Sequence, residues 1–69
     1  MNIEWIDGFT IKVSVENDEV IISANREGLL SLAKQLSEMA EMDVGTHVHY
    51  DEYNSLEKGS AQLIVEKVE

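Results

Sequence analysis

The sequence predicts an α+β fold: one mostly antiparallel sheet of four to five strands with a single helix packed on one face, in ββ(β)αββ order. Residues 25–42 repeat apolar side chains every three or four positions, as an amphipathic helix does. The flanking segments alternate apolar and polar residues, and turn-forming dipeptides separate the first three of them. We expect one domain, 1–69, which buries only about 60% of its unfolded surface.

The first two hairpins follow from their turns. Asp7-Gly8 tolerates the positive φ angles of a two-residue turn and joins predicted strands at 2–6 and 9–16. Asn17-Asp18 then leads into a strand at 19–24, and a two-residue turn there fixes three apolar pairs: Val15 with Val20, Val13 with Ile22, and Ile11 with Ala24. The face that we expect to meet the helix carries Phe9, Ile11, Val13, Val15, Val20 and Ile22.

The predicted helix begins at Asn25, whose side-chain oxygen can accept a hydrogen bond from the first turn, and stops before Gly45. Its predicted core stripe is Leu29, Leu32, Ala33, Leu36, Met39 and Ala40, so Leu36→Ala should nearly unfold the domain. Its predicted solvent side is Glu27, Ser31, Lys34, Gln35, Glu38 and Glu41. Gly28 lowers helix propensity and marks either a close approach to the neighbouring strand or chance.

Two strands follow the helix. Residues 46–52 alternate so that Val48 and Tyr50 point inward, and a loop at 53–59 leads to a strand at 60–67 with Leu63 and Val65 inward. The other sheet face, which no helix covers, then carries apolar residues from several strands. The residues that we expect on this open face include Ile3, Trp5, Ile21, His47, His49 and Ile64, with Asp51 and Glu66 alongside.

Charge and composition limit the function classes. Fourteen acidic residues against five basic ones give a net charge of −9, which argues against binding to nucleic acid or an anionic membrane. The same charge either attracts a basic partner or merely keeps the protein soluble. The first residues have neither the basic nor the apolar region of a signal peptide, so we expect a cytoplasmic protein. The sequence has no cysteine, which excludes a disulfide and a Cys-rich zinc site.

The strongest chemical motif is His47-Val48-His49-Tyr50-Asp51, which puts two imidazoles and a carboxylate on one side of a strand. It indicates either a metal site or, more simply, a polar interface patch. Carboxylates for acid–base chemistry are present at Asp51, Glu52, Glu57 and Glu66, but their spacing pairs none of them. We therefore expect no enzyme, no catalytic residue, no metal and no cofactor.

Tryptophan is enriched at the centres of protein interfaces, and Trp5 is predicted on the open face. The alternative is that Trp5 folds over a sheet edge and covers the core. The predicted partner-binding residues are Ile3, Trp5, Ile21, His47, His49, Asp51, Glu52, Tyr53, Glu57 and Ile64.

Three stretches carry a family resemblance: residues 23–33 (SANREGLLSLA), 47–57 (HVHYDEYNSLE) and 63–67 (LIVEK). They resemble the immunity protein 32 family of bacterial polymorphic-toxin systems. The resemblance implies a small cytoplasmic antidote that binds a cognate toxin, often a nuclease, and blocks it without catalysis. Two other readings stay open: a homo-oligomeric module whose open face is a dimer interface, and a metal-binding protein that uses His47, His49 and Asp51.

Overall fold

A computed structural model describes residues 3–69 and shows an α+β fold with one helix. The elements in chain order are β1 (Ile11–Glu16), β2 (Glu19–Ala24), α1 (Arg26–Ala40), β3 (His47–Tyr50) and β4 (Leu63–Glu66). The strands form two separate antiparallel pairs, β1–β2 and β3–β4. The prediction of a single sheet of four to five strands is therefore wrong, although the α+β class is confirmed.

The β1–β2 hairpin has the predicted register. Val15 lies opposite Val20, Val13 opposite Ile22, and Ile11 opposite Ala24. Asn17 and Asp18 form the turn with φ angles of 51° and 65°, the left-handed conformation that a tight hairpin turn requires and that Asn and Asp tolerate.

A loop segment joins the two sheets. The amide of Glu57 donates to the Ile11 carbonyl and that of Ala61 donates to the Val13 carbonyl, each at 2.8 Å. The Val13 amide in turn donates to Ser60 Oγ at 3.1 Å. These bonds satisfy the edge of β1 that faces away from β2, so residues 57–61 occupy the position where a further strand of a continuous sheet would lie.

The first predicted strand is wrong over its described part, 3–6; Asn2 lies outside the described residues. The Asp7-Gly8 turn does form, with Gly8 at φ 83°. The residues ahead of it bind the helix instead of β1: the Ile6 amide donates to Ser31 Oγ at 2.9 Å, and Gln35 Nε2 donates to the Glu4 carbonyl at 2.7 Å. The predicted hairpin that would pair Ile3 and Trp5 with the strand at 9–16 therefore does not form.

The start of the helix follows the prediction. Asn25 Oδ1 accepts a hydrogen bond from the Gly28 amide at 2.8 Å, which caps the first turn. Gly28 marks a close approach, because a Cβ there would lie 2.5 Å from the Thr10 carbonyl oxygen and 2.9 Å from Ile11 Cγ1. A side chain at position 28 would push the helix off β1.

The helix ends at Ala40, earlier than predicted. The carbonyl of its last residue is satisfied by a distant lysine, since Lys67 Nζ donates to the Ala40 carbonyl oxygen at 2.7 Å and also to that of Met42, just beyond the helix, at 2.8 Å. A lysine ammonium at this end also complements the helix dipole. Gly45, the predicted stop, lies beyond the helix in a turn with φ 95°.

The buried face of the helix is rotated from the predicted stripe. Leu32 and Met39 are buried as predicted, but Leu29, Ala33, Leu36 and Ala40 are exposed. The rest of the buried face consists of Gly28, Ser31 and Gln35. Ser31 and Gln35 were predicted on the solvent side. They are buried because their side chains hydrogen-bond the backbone of residues 4–6, which covers them.

The core lies where the helix, β1 and β3 meet. Its buried cluster is Ile11, Val13, Leu32, Tyr50 and Leu56. Val48, Leu63 and Val65 pack against it and Tyr50 is buried within it, so the inward residues of β3 and β4 are as predicted. Three residues of the predicted core face, Val15, Val20 and Ile22, are exposed because the helix covers only the end of the hairpin nearest Ala24.

Candidate partner-binding surface

A groove opens between the N-terminal segment and β3. Its volume is about 160 Å³, and its lining residues are Ile3, Trp5, Val48, His49, Tyr50 and Asn54. Three of these, Ile3, Trp5 and His49, are among the predicted partner-binding residues. The lining combines apolar and aromatic surface with the polar side chains of His49 and Asn54, a combination found at binding sites.

Trp5 lines this groove and also covers the core. Its ring stacks on Phe9 with centroids 4.4 Å apart and meets Tyr50 edge-on at 5.9 Å. The backbone on either side of Trp5 is held by the helix, through the Glu4 carbonyl and the Ile6 amide. Trp5 is consequently half-buried and fixed in orientation, and part of its ring remains available in the groove.

Tyr50 forms the buried wall of the groove. Its hydroxyl donates to Gln35 Oε1 at 2.8 Å, and both side chains are almost completely inaccessible to solvent. Burial raises the pKa of the Tyr50 phenol, because the phenolate would lose its hydration. The wall therefore stays neutral at physiological pH.

The two histidines lie side by side on the exposed side of β3. Their ring centroids are 5.2 Å apart, and the His47 Nδ1 atom lies 3.0 Å from the Gly45 carbonyl oxygen. Across the strand pair, Ile64 lies opposite His49 and Glu66 opposite His47. The structure thus brings His47, His49 and Ile64 together on one exposed surface beside the groove.

Asp51 does not continue this row, because β3 ends at Tyr50. Its Oδ1 atom accepts hydrogen bonds from the amides of Tyr53 and Asn54 at 2.9 and 3.0 Å, which closes a turn. Asn54 Nδ2 then donates to the His49 carbonyl at 3.0 Å, so this turn holds Asn54 at the groove. Within residues 3–69, no three His, Cys, Asp or Glu side chains are grouped as metal ligands.

The remaining predicted residues are more scattered. Glu52 Oε2 accepts a hydrogen bond from the Gly59 amide at 2.6 Å, and Tyr53 is fully exposed in the loop after β3. Glu57 lies beside β1, because its backbone amide donates a hydrogen bond to the Ile11 carbonyl. Ile21 lies on β2 opposite Ser14 and is not among the groove residues.

Sequence reasoning missed Asn54 as a groove residue, and it assigned Val48 and Tyr50 to the core alone. The signal for Asn54 was present in the sequence, because Asp and Asn three residues apart after a strand favour a side-chain-stabilised turn. Such a turn places its last residue back against the end of the strand. The part that Val48 and Tyr50 play in the groove depends on where the N-terminal segment lies, which their own alternation does not show.

The structure is that of a small α+β protein with an apolar and aromatic groove on its surface, which is suited to contact with another molecule. A sequence profile described as immunity protein 32 matches residues 19–68, which is most of the chain. The chain belongs to the immunity protein 32 family. Comparisons with curated proteins and with solved structures gave no match. The α-helix within the described residues is too short and too polar to cross a membrane.

Proposed function

We propose that this protein neutralises a cognate toxin by binding it stoichiometrically in the cytoplasm, without catalysing a reaction. The observation that carries the proposal is the match to the immunity protein family over residues 19–68. An antidote of this kind needs a recognition surface and sufficient stability, and it needs no catalytic groups of its own.

The electrostatics support a basic partner. The net charge of −9 produces a negative field that accelerates association with a cationic surface and disfavours binding to nucleic acid. A toxin that is a nuclease carries such a cationic surface, because it has to bind phosphates. An acidic inhibitor that covers this surface would exclude the substrate.

The groove supplies the contact that we propose as the centre of the interface. Trp5 presents rigid aromatic surface that is held in place by its edge-on contact with the buried Tyr50, and His49 and Asn54 add polar groups at the margin. Aromatic residues in such positions commonly contribute most of the binding free energy, while charged residues at the rim mainly affect the association rate. We place His47 and Ile64 beside this centre and the Asp51 to Tyr53 turn at its rim.

The experiment is capture of the toxin by the tagged full-length protein in its native host, followed by binding kinetics with the purified pair. Ile3→Ser should weaken binding, whereas Leu30→Ser should not, although the two side chains are equally exposed at 42% and 43%. Association should slow as salt rises, because charges are screened beyond about 8–10 Å at 0.1–0.15 M ionic strength.

Three results would contradict the proposal. The first is that no toxin is captured and none is inhibited. The second is an association rate that does not change with salt, which would remove the electrostatic part. The third is an equal effect of the two serine variants, which would remove the groove from the interface and leave the family role intact.

A further inference from the structure

We infer that the outer edge of β2 (Glu19–Ala24) accepts an extended, cationic segment of the toxin as an additional β-strand. This inference rests on the proposed function, because it concerns the same partner. It assigns a second contact surface, separate from the groove. The argument uses the direction of the backbone groups, the exposed apolar face and the charges at the hairpin turn.

The backbone groups of Val20 and Ile22 point away from β1. In an antiparallel pair, residues alternate between those that bond their partner and those that bond outward, and opposite residues behave alike. Ile11 and Val13 bond outward to residues 57–61. Their partners Ala24 and Ile22, and Val20 two residues earlier, therefore direct their amides and carbonyls outward as well.

No strand in the described part of the chain pairs with this edge, since the β1–β2 sheet has only two strands. The opposite edge of the same sheet, along β1, is covered by residues 57–61. An uncovered edge presents a row of free donors and acceptors that can pair with an extended segment of another protein. The hairpin thus has one protected edge and one available edge.

The side chains along the available edge are apolar and exposed. Val20, its partner Val15 and Ile22 lie on the same sheet face, with exposed fractions of 63%, 60% and 45%. The helix leaves them uncovered because it packs at the other end of the hairpin, where Gly28 meets Thr10 and Ile11. A strand added along β2 would extend this face and could cover the two valines and Ile22 with its own apolar side chains.

The charges at the hairpin turn select a cationic occupant. Glu16 lies directly opposite Glu19, and Asp18 lies in the turn between them. Like charges opposite each other weaken a hairpin, and the ion pairs found within residues 3–69 include none of these three carboxylates. A Lys- or Arg-containing strand would relieve this repulsion. A second copy of the chain carries the same charge of −9 and is repelled.

The test uses the captured toxin and two variants at the edge. Val20→Pro removes the outward amide and leaves the β1–β2 hydrogen bonds in place, because proline is tolerated where the strand amide faces outward. Val20→Thr is the matched control, since it keeps both the amide and the β-branched shape. We expect the proline variant to bind the toxin about tenfold more weakly than the threonine variant.

The second variant is Glu19→Lys, which converts the repulsive pair with Glu16 into an attractive one. We expect it to keep or raise the denaturant midpoint and to slow association with the toxin about threefold or more. A variant that is at least as stable and binds more slowly cannot be explained by loss of folding. Circular dichroism of each variant checks that the overall secondary-structure content is unchanged.

The outcomes separate the two proposals. If the unaltered protein binds no toxin, the proposed function fails. If it binds, and the proline and threonine variants bind equally tightly while Glu19→Lys associates at the original rate, only the edge inference is overturned. Sedimentation of the protein alone should give a monomer. A dimer that Val20→Pro dissociates would assign the edge to a second copy and would also overturn the inference.

Discussion

The Tyr50 hydroxyl donates a hydrogen bond of 2.8 Å to Gln35 Oε1, and this bond joins β3 to the helix inside the core. The side-chain Nε2 atom of the same glutamine donates to the Glu4 carbonyl at 2.7 Å. Gln35 therefore connects the helix, β3 and the N-terminal segment that carries Trp5. The wall of the groove depends on a buried polar pair in the centre of the molecule.

Tyr50→Phe should lower the free energy of unfolding by about 1–3 kcal/mol, because it leaves Gln35 Oε1 buried without a donor. Chemical denaturation measures this change. Tyr53→Phe is the control, since Tyr53 is 96% exposed and its substitution should cost no more than about 0.5 kcal/mol. Equal effects of the two variants would show that the buried bond contributes nothing.

Alkaline pH should destabilise the protein through Tyr50. Burial raises the pKa of this phenol above its ordinary value of 10.0 in the folded protein. The unfolded chain then loses the proton first as pH rises, so the stabilisation is complete below pH 10 and is lost above it. Unfolding free energies measured across this range should fall more steeply than in Tyr50→Phe. Parallel curves for the two proteins would contradict the assignment.

Leu32→Ala should destabilise the protein by about 2–5 kcal/mol, whereas Leu36→Ala should cost about 1 kcal/mol or less. Leu32 is 9% exposed within the core cluster, and Leu36 is 42% exposed on the flank of the helix. This replaces the expectation from the sequence that Leu36→Ala nearly unfolds the domain. Denaturant midpoints in the reverse order would show that the predicted stripe, and not the observed face, is buried.

Gly28→Ala should lower stability even though alanine is the better helix former. The added Cβ would lie 2.5 Å from the Thr10 carbonyl oxygen, and such overpacking costs about 1–3 kcal/mol, more than the helix propensity gains. Ser37→Ala is the matched control at an exposed helical position and should be neutral or stabilising. Thermal unfolding should show a lower melting temperature for Gly28→Ala and an unchanged or higher one for Ser37→Ala. A higher melting temperature for both variants would show that the close approach is not real.

The parts of the fold that could be predicted from the sequence are those in which local rules and turn length agree. The β1–β2 register follows from a two-residue turn between alternating apolar residues, and the Asn25 cap follows from one side chain at a helix start. For Gly28 the sequence left two explanations open, a close approach to the neighbouring strand and chance, and the structure shows the close approach. The register and the cap depend on turn length and on local hydrogen bonding, whereas the Gly28 contact joins the helix to Thr10 and Ile11 in a distant part of the chain.

The parts that could not be predicted depend on where the N-terminal segment lies. Apolar alternation in residues 3–6 suits a strand, but this backbone bonds Ser31 and Gln35 on the helix instead. Those two polar residues then become buried, which rotates the buried face away from Leu29 and Leu36. Hydrophobic periodicity assumes that polar residues face water, and it cannot identify polar residues that are buried by a distant backbone partner.

The candidate site was predicted in part for the same reason. The outward direction of His47 and His49 follows from strand alternation, and the sequence assigned Ile3 and Trp5 to a shared surface with them. The sequence places Ile21 on the same surface as Ile3 and Trp5 only through the predicted hairpin of residues 2–6 with 9–16, and this hairpin does not form. Asp51 was placed on the strand, but its carboxylate closes a turn that no strand pattern describes.

The central claim is that this protein inhibits a toxin by occupying it, and an activity titration tests that claim most directly. Purified toxin at a concentration well above the dissociation constant is mixed with increasing amounts of the full-length protein, and the remaining toxin activity is measured. A stoichiometric inhibitor predicts a linear fall that reaches zero at one equivalent. Complete inactivation of the toxin by a small fraction of an equivalent would show turnover and would contradict the claim, as would full activity at excess inhibitor.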